Sequence, residues 1–234
     1  MGCLGQFIFA QESVPKEWDN RKNQIGVSVS DMVNGALQLE YERLIMKNVS
    51  FSFGFGYKGD NGLIRFSGLN GDQIKTNDLT YSGVKFIPAV RYYIKSTTRY
   101  SMDGFYVGTY AKFTNYKSNL DGTYLNDQDE SFLVAFDADF SVLSVGLMIG
   151  YKLPISKRLT LDFLIIGPGR GFHNYEIENK SDLPEEFYED LNEALDDYPI
   201  FDFVNADFRF SDVRSKTKFN AVTLRYGITL GYSF

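Results

Sequence analysis

The chain has 234 residues, of which 30 are Asp or Glu and 24 are Lys or Arg, giving a net charge of −6, and 16% are aromatic. Because the charge is negative and no face carries a Lys/Arg cluster, we expect no nucleic-acid partner. No stretch approaches the roughly 18 consecutive apolar residues that a membrane-spanning helix needs, which excludes a helical membrane protein. The only cysteine is Cys3, so a chain that loses its first residues has no disulfide and no thiolate ligand. We expect no metal and no cofactor.

Residues 1–10 end in the apolar run CLGQFIFA, and the polar Gln11, Glu12 and Ser13 follow at once. This pattern is typical of the last part of a secretory signal peptide, and it predicts cleavage after Ala10. Residues 11–23 then form an N-terminal segment ahead of one folded domain at residues 24–234. A single domain is expected because nothing between the later elements resembles a linker.

Alternation of apolar with small or polar residues dominates the rest of the chain. In VSFSFGFGY, Phe51, Phe53 and Phe55 share one parity, and Ser or Gly fills the other. A period of two is typical of a β-strand with one apolar face. The pattern predicts eight strands, at residues 24–30, 37–42, 49–57, 84–95, 105–113, 143–151, 159–166 and 221–234. We also expect β-bulges at Pro88 and Pro168, because proline removes a ladder hydrogen-bond donor.

The connections between these strands alternate between short and long, the long ones being residues 58–79, 117–138 and 176–218. Long and short loops therefore lie at opposite ends of an up-and-down barrel. Such a barrel is either soluble, as in a lipocalin-like carrier of an apolar ligand, or transmembrane with an apolar exterior. The less apolar face is mostly Gly, Ser, Thr and Ala, which suits a narrow lumen that side chains fill. The sequence thus predicts an all-β fold, an eight-stranded antiparallel up-and-down transmembrane β-barrel, with the soluble carrier as the alternative.

Four stretches carry a resemblance to known proteins, namely LQLEYERLIMKNVSFSFGFGY, FIPAVRYYI, GLMIGYKLPISKRLTLDFLIIGPGRGF and the closing LRYGITLGYSF. Over residues 24–234 the chain resembles the small outer-membrane β-barrel proteins of Gram-negative bacteria, of the OmpA, OmpX and OmpW shape and the PorT-like group. The resemblance implies an outer-membrane location, a periplasmic segment at residues 11–23, and contact with outer-membrane lipids and lipopolysaccharide. In that family a C-terminal strand ending in Phe is read by the barrel-assembly machinery, which implies this role for Leu230, Tyr232 and Phe234.

Seven charged residues share the less apolar parity, which faces the lumen of the predicted barrel. They are Glu40, Glu42, Lys85, Arg91, Lys112, Asp162 and Arg225. Enclosed ionisable groups must pair or stay hydrated, because an isolated buried charge is costly. We interpret these residues as a network that plugs the lumen, with a gated or ion-selective path as the alternative. Eight strands leave little bore, which favours the plug.

The single histidine, His173, lies at the long-loop end of the seventh predicted strand, with Asp and Glu residues nearby in sequence. An outer-membrane hydrolase would place catalytic groups there, so a hydrolase using His173 is a further alternative. No spacing identifies a nucleophile, and geometry rather than residue type must establish a catalytic site. We expect no catalytic residues and no enzymatic activity.

The last long loop contains SDLPEEFYEDLNEALDDY, in which apolar residues recur at four-residue intervals. This spacing predicts a short amphipathic helix. Its contact stripe consists of Leu183, Phe187, Leu191 and Leu195. We favour a solvated lid helix, because charge runs usually cover a solvated face. The alternatives are that the stripe docks on a partner or the barrel mouth, or that the carboxylates collect divalent cations.

The expected role follows from this architecture, since no motif assigns an activity. We expect a structural or interaction role: stabilising the membrane, contacting lipopolysaccharide, or serving as a subunit of a larger outer-membrane complex. The long loops are the expected contact point with another outer-membrane protein. Fold analogy supplies this expectation, and fold alone does not fix function.

Overall fold

The computed structural model describes residues 21–59, 68, 70–78, 80–94, 100–196 and 214–234, with the backbone alone at 194–196 and 214–215. The predicted signal peptide at 1–10 and most of the predicted segment at 11–23 lie outside these residues. The described elements are, in order, β1 Asn23–Ser28, α1 Val29–Val33, β2 Ala36–Met46, β3 Val49–Lys58, β4 Ile74–Thr76, β5 Thr80–Tyr93, β6 Gly104–Leu125, β7 Ser131–Pro154, β8 Leu159–Asn179, α2 Glu185–Asp196 and β9 Arg214–Ser233.

Eight of these strands close into one antiparallel ring, in the order β1-β2-β3-β5-β6-β7-β8-β9. The ring closes because β1 pairs with both β2 and β9, so that Ile25 lies between Tyr41 on one side and Tyr232 on the other. The predicted eight-strand antiparallel order is therefore confirmed. The short strand β4 lies outside the ring and pairs with the far end of β6.

Side chains alternate between the inside and the outside of the ring, and the polar ones are inside. On β3, Ser50 and Ser52 are 0% and 1% exposed, whereas Phe51 and Phe53 are 43% and 42% exposed. Small and polar residues face inward because an eight-stranded ring encloses little space. The exposed outward side chains form a continuous surface, which we call the apolar belt. It includes Leu39, Phe53, Val90, Val107, Leu147, Ile165, Leu224 and Leu230.

The apolar belt ends at a line of register partners on three neighbouring strands. Asn115 pairs with Ser141, and Ser141 pairs with Asn174. On one side of this line, which we call below and which contains Gly104 and Pro154, the outward side chains of β6 and β7 are chiefly apolar. On the other side, above the line and toward Leu125 and Ser131, they are chiefly polar. On β8 and β9, Arg170 and Asn220 face outward just inside the line. We call the parts of β6, β7 and β8 above the line, together with β4 and α2, the rim extension.

The rim extension corrects one prediction. Residues 117–138 were expected to form a long loop, but β6 continues to Leu125 and β7 begins at Ser131. Asn126 organises the turn between them, since its side-chain Oδ1 accepts a 2.7 Å hydrogen bond from the Glu130 N–H. The prediction was wrong because the outer face of this hairpin lies beyond the belt, where the apolar alternation stops.

The first strand is shorter than predicted, and a helix that no pattern predicted follows it. β1 ends at Ser28 rather than Ser30. Ser28 caps α1, because its Oγ accepts a hydrogen bond from the Asp31 N–H at 3.3 Å. Gly35, at a φ of 73°, then turns the chain into β2. Ser30 Oγ accepts a 3.2 Å hydrogen bond from the Ile228 N–H, which holds α1 against β9.

The two prolines within strands behave differently. The bulge expected at Pro168 is confirmed, since the register between β8 and β9 shifts just before it. The bulge expected at Pro88 is wrong, because Pro88 lies opposite Phe53 in an unbroken register. On the other side of β5, the pairing with β6 omits residues 87–88 and resumes in the same register. The missing N–H there removes a local pair without adding a residue to the strand.

Candidate lumen site

Arg91 lies at the centre of the lumen, on the inward face of β5. Its side chain is 2% exposed and makes three ion pairs, with Glu40 at 2.7 Å, Glu42 at 2.8 Å and Asp162 at 2.9 Å. Two of these carboxylates come from β2 and one from β8, so a single guanidinium joins three strands of the ring. Charge-assisted hydrogen bonds of this kind are the strong ones in proteins.

Glu42 extends this cluster toward the chain termini. Its carboxylate accepts hydrogen bonds from Lys152 Nζ at 2.5 Å, Ser50 Oγ at 2.5 Å and the Tyr93 hydroxyl at 2.6 Å. Lys152 also donates to Gln24 Oε1 at 2.9 Å. The network therefore reaches β1, β3 and β7 as well, and every buried carboxylate in it has a cationic partner, as buried charges require.

These side chains fill the lower part of the lumen. Arg91 is 2% exposed, Tyr93 is 1% exposed, and Tyr106 and Lys152 are fully buried. The guanidinium of Arg91 lies 4.9 Å from the ring centroid of Tyr106, whose hydroxyl donates to Asp162 at 2.8 Å. A side chain that faces a water-filled bore keeps accessible surface. The described side chains therefore close the lumen at this level.

Nearer the rim, the lumen is more basic. Lys85 of β5 pairs with Asp31 of α1. Within the described part of the chain, neither Lys112 nor Arg225 has a carboxylate at ion-pair distance. The guanidinium of Arg225 instead lies 5.4 Å from the ring centroid of Tyr110. The lower lumen is thus saturated with ion pairs, and the upper lumen contains an excess of cations.

The structure brings four of the seven predicted lumen charges into direct contact and leaves three apart from them. The three are Lys85, Lys112 and Arg225. Two further charged residues of the lumen, Lys152 and Asp31, were not predicted. Lys152 continues the inward parity of β7 one step beyond the predicted strand, so this parity could have identified it. Asp31 lies on α1, and its position depends on tertiary contacts.

His173 lies on the inward face of β8, next to other rings. Its Nδ1 is 3.1 Å from the Tyr175 hydroxyl, and its ring stacks on Phe219 with the centroids 4.7 Å apart. In the described part of the chain, the Tyr175 hydroxyl is the one polar side-chain group at hydrogen-bond distance from the His173 ring. We therefore place His173 in an aromatic cluster at the top of the lumen.

The helix predicted in the last long loop is present as α2, and it packs on the inward face of the rim extension. Phe187 and Leu191 of the contact stripe are 0% and 6% exposed. Phe187 lies 5.1 Å from the ring of Tyr124 and 5.9 Å from that of Phe136, measured between centroids. The favoured interpretation, a solvated lid helix, is therefore wrong. That interpretation assumed that the loop makes no contact with the barrel. In fact β6 and β7 extend far enough for α2 to pack against them.

Other contacts of α2 strengthen this docking. Leu183 packs against the same cluster, whereas the side chain of Leu195 lies outside the described residues. The Tyr124 hydroxyl donates to Asp190 Oδ2 at 2.5 Å. Burial and this hydrogen bond to a carboxylate raise the pKa of Tyr124 above its ordinary value.

Of the three C-terminal residues that the resemblance connects with assembly, Leu230 and Tyr232 lie on the outward face of β9 and Phe234 follows its last residue. Leu230, Tyr232 and Phe234 are 43%, 38% and 50% exposed. Leu230 lies opposite Val27, and Tyr232 lies opposite Ile25, at the point where the ring closes. The last strand thus completes the apolar belt and the hydrogen-bonded ring together.

Neither a metal site nor a membrane-spanning helix is found among the described residues. In the described ranges, no group of three or more His, Cys, Asp or Glu side chains is placed to hold a metal ion. Neither of the described helices is long and apolar enough to cross a membrane. The possible collection of cations by the acidic residues of α2 stays a prediction.

The fold defines an all-β class, in which antiparallel strands close into an eight-stranded ring around an ion-paired interior. Within that class, the chain belongs to the family described as "Protein of unknown function (DUF3575)", which matches residues 35–189. Among solved structures, the chain is similar to a major outer membrane protein from Thermus thermophilus. The identity is 13%, the match covers 92% of this chain and 100% of that chain, and the TM-score is 0.32. No curated protein matches the chain.

Proposed function

We propose that this protein is an integral outer-membrane β-barrel protein that crosses the bilayer through its apolar belt. The belt is the observation that carries the proposal: apart from Thr109, the outward side chains of residues 105–113 on β6 and 143–153 on β7 are apolar, and they are exposed or half-buried. A tilted strand needs roughly 9–11 residues to cross the hydrocarbon core. Phe105 and Tyr151, with ring centroids 4.7 Å apart, lie at the lower edge, where an interfacial aromatic girdle is expected.

The closed ring and its interior support the same proposal. A bilayer offers the backbone no hydrogen-bond partners, so a sheet can cross it only as a closed ring. Polar groups then have to face inward and find partners there, as Arg91, Glu42 and Lys152 do. In water, the same arrangement would bury charges and expose apolar surface, which costs free energy on both faces.

We propose a structural or interaction role for this barrel, since its lumen is closed by buried side chains at the level of Arg91. Its partners are outer-membrane lipids and lipopolysaccharide, and the rim extension is the surface offered to another outer-membrane protein. The apolar cluster beneath α2 supports this assignment, because it gives the rim extension a fixed shape beyond the belt. Leu230, Tyr232 and Phe234 are the residues proposed for recognition by the barrel-assembly machinery.

The alternatives receive less support. A lipocalin-like carrier needs an apolar cavity, whereas the lumen around Arg91 is polar and filled. A hydrolase needs a base beside a nucleophile, and the contacts of His173 are with Tyr175 and Phe219. We therefore keep the structural or interaction role.

Fractionation and heat-modifiability test the proposal. Cells expressing the full chain are separated into membrane and soluble fractions, and each fraction is run on denaturing gels with and without boiling. We expect the protein in the outer-membrane fraction, with a faster band before boiling, because a folded barrel resists the denaturant until it is heated. A folded monomer that stays in aqueous buffer without detergent would overturn the proposal.

The closed lumen is tested separately in planar bilayers. We expect the reconstituted protein to show no stable conductance steps of porin size, because the ion pairs of Arg91 fill the cross-section. Steady conductance from the unmodified protein would contradict the closed lumen and favour the ion-selective path.

A further inference from the structure

A cavity of about 180 Å³ lies in the lumen on the rim side of Arg91, between α1 and the inward faces of β2, β5, β6, β8 and β9. Polar atoms contribute most of its lining. Four basic residues line it, namely Lys85, Arg91, Lys112 and Arg225, and three acidic ones do, namely Asp31, Glu40 and Asp162. The chemistry of the cavity therefore depends on which of these charges already have partners.

The acidic residues are all engaged. Glu40 and Asp162 pair with Arg91, which also holds Glu42, and Asp31 pairs with Lys85. No carboxylate of the described lining is left for Lys112 and Arg225. Two cations thus share one enclosed space without an ion-pair partner among the described residues.

The charges around Lys112 and Arg225 agree with the absence of an ion-pair partner for either residue. Lys112 is repelled by Lys85 and by Arg225 and is attracted by Asp31, which Lys85 already holds. Arg225 is attracted by Glu40 and Asp162, both beyond ion-pair distance and both already paired with Arg91, and it is repelled by Arg91. Like charges held together in a low-dielectric space are costly unless a counter-charge joins them.

Buried hydrogen-bond donors without a partner belong to two of the residues that line this cavity. Nη1 of Arg225 and Nε of Arg91 are buried and lack a hydrogen-bond partner in the described structure. Arg91 is almost completely buried, so its Nε has no access to bulk water. Buried polar groups in native proteins are nearly always hydrogen-bonded, and unpaired ones require an explanation. Guanidinium donors match the oxygen atoms of phosphate and carboxylate groups.

We propose that this cavity is a binding site for an oxyanion, with Lys112 and Arg225 as its principal ligands. Water can satisfy the free donors, but it cannot neutralise the two uncompensated charges. The cavity volume is several times the roughly 30 Å³ share of one water molecule, so it accommodates a phosphate-sized group. The site rests on the contacts inside the lumen and not on the proposed membrane location.

The lining indicates two sources for such an oxyanion. Most lining residues face inward, but Leu224 and Tyr226 have the outward parity of β9 and are 63% and 73% exposed. They flank the seam where β1 has ended and α1 lies against β9. The oxyanion is therefore either a free ion that enters from the rim or the headgroup of an amphiphile whose chain lies along the apolar belt.

Calorimetric titration of the purified full chain in zwitterionic detergent tests the proposal, with two probes. Inorganic phosphate represents the free ion, and mixed micelles that contain phosphatidylglycerol represent the lipid headgroup. The test variant is the double substitution Lys112→Gln and Arg225→Gln, which keeps polar side chains and removes both charges. Lys117→Gln is the matched control, since Lys117 is on the same strand as Lys112 but is exposed and faces outward.

We expect the double variant to bind the preferred probe at least about tenfold more weakly than the control, given the usual strength of charge-assisted hydrogen bonds. Without any probe, the double variant should also melt at a higher temperature than the unmodified chain, because it removes repulsion between buried cations. This second measurement shows that the variant folds and that the cations have no hidden partner.

The outcomes separate the two sources and the proposal itself. Saturable binding of phosphate alone assigns a free-ion site, and preferential binding of the phosphatidylglycerol micelles assigns a headgroup site. The proposal is overturned if both probes bind the double variant as well as the Lys117→Gln control, or if the double variant melts at a lower temperature without a probe. Neither result would affect the gel and fractionation test of the membrane location.

Discussion

The lower barrel, which is the eight-stranded ring on the chain-terminus side of the line through Asn115, Ser141 and Asn174, shares β6, β7 and β8 with the rim extension, yet the polarity of the two regions is opposite. In the lower barrel, inward residues such as Ser50 and Lys152 are polar and buried, and outward residues such as Leu147 are apolar and exposed. In the rim extension, inward residues such as Tyr124 and Phe136 are apolar and buried beneath α2. The change occurs along β6 and β7 without any break in their pairing.

In β6 and β7, the backbone hydrogen-bond pairing is therefore independent of which side chains are buried. The ladder between β6 and β7 is continuous from Gly104 and Lys152 at one end to Leu125 and Ser131 at the other. Only the surroundings of the two faces change along it. Strands that pass from a bilayer into water should show such an inversion, because the apolar phase is outside in the first region and inside in the second.

The largest expected effect comes from breaking the ion pairs of the lower barrel. Replacing Arg91 by Met leaves Glu40, Glu42 and Asp162 without their shared cation. We expect the free energy of unfolding in detergent to fall by about 3–5 kcal/mol, the usual cost of removing one partner of a buried ion pair. Urea titration followed by the heat-modifiable band measures this change.

The matched control for Arg91→Met is Lys216→Met, which removes an exposed pairing with Glu176 at 3.0 Å. We expect at most about 1 kcal/mol from this surface ion pair. Equal effects of the two substitutions would mean that the lumen network does not stabilise the ring.

The second effect concerns the interior of the rim extension alone. Phe187→Ala removes a fully buried ring from beneath α2 and should destabilise that packing by about 3–5 kcal/mol. We expect proteolysis to cut at α2 while the barrel band stays heat-modifiable. Glu189→Ala, at an exposed position of the same helix, serves as the control. Loss of the barrel band in Phe187→Ala would show that the two regions fold as one unit.

The third effect separates the outer faces of the two regions. Leu147 and Leu133 share strand, outward parity and high exposure, at 63% and 78%, but they lie on opposite sides of the belt boundary. Leu147→Arg should cost about 2–4 kcal/mol of stability in lipid vesicles, as expected for a cation near the bilayer midplane. Leu133→Arg should change stability by no more than about 0.5 kcal/mol. Similar values for both would remove the distinction between the two faces.

The smallest effect is a pH dependence of the rim extension. The pKa of Tyr124 is raised, so its stabilising contribution is complete below the ordinary tyrosine value of about 10 and is lost as the pH rises through the raised value. We expect proteolysis at α2 to accelerate above that ordinary value. Tyr124→Phe should cost about 1 kcal/mol at neutral pH and remove this component of the alkaline response. An unchanged alkaline response in Tyr124→Phe would assign it to other groups.

The sequence predicted the lower barrel better than the rim extension, for a physical reason. A period of two is easy to recognise wherever one face of a strand is uniformly apolar and the other is small or polar, as around Phe53. Residues 117–138 lack that signal, because their apolar side chains meet an interior built by β4 and α2. Their strand pairing depends on contacts between distant segments, which local alternation does not encode.

The lumen network shows the same limit. Inward parity predicted which charged residues enter the lumen, but it did not determine which of them pair. Arg91 meets its carboxylates through the register of β2, β5 and β8 around the ring. The pairing of Lys85 with Asp31 depends on α1, whose position is fixed by contacts with β9. Parity gives the face of a residue, and only the closed ring gives its neighbours.

The position of the belt boundary relative to a bilayer is the most direct test of this account. Leu147→Cys and Leu133→Cys, each in a Cys3→Ser background, provide single labelling sites, because Cys3 is the only native cysteine. A fluorescent label at each site is measured in vesicles that contain lipids with a quencher in the acyl chain. We predict strong quenching at position 147 and none at position 133. Equal fluorescence at the two positions, with both labels open to a water-soluble quencher, would contradict a barrel that crosses the membrane through its apolar belt.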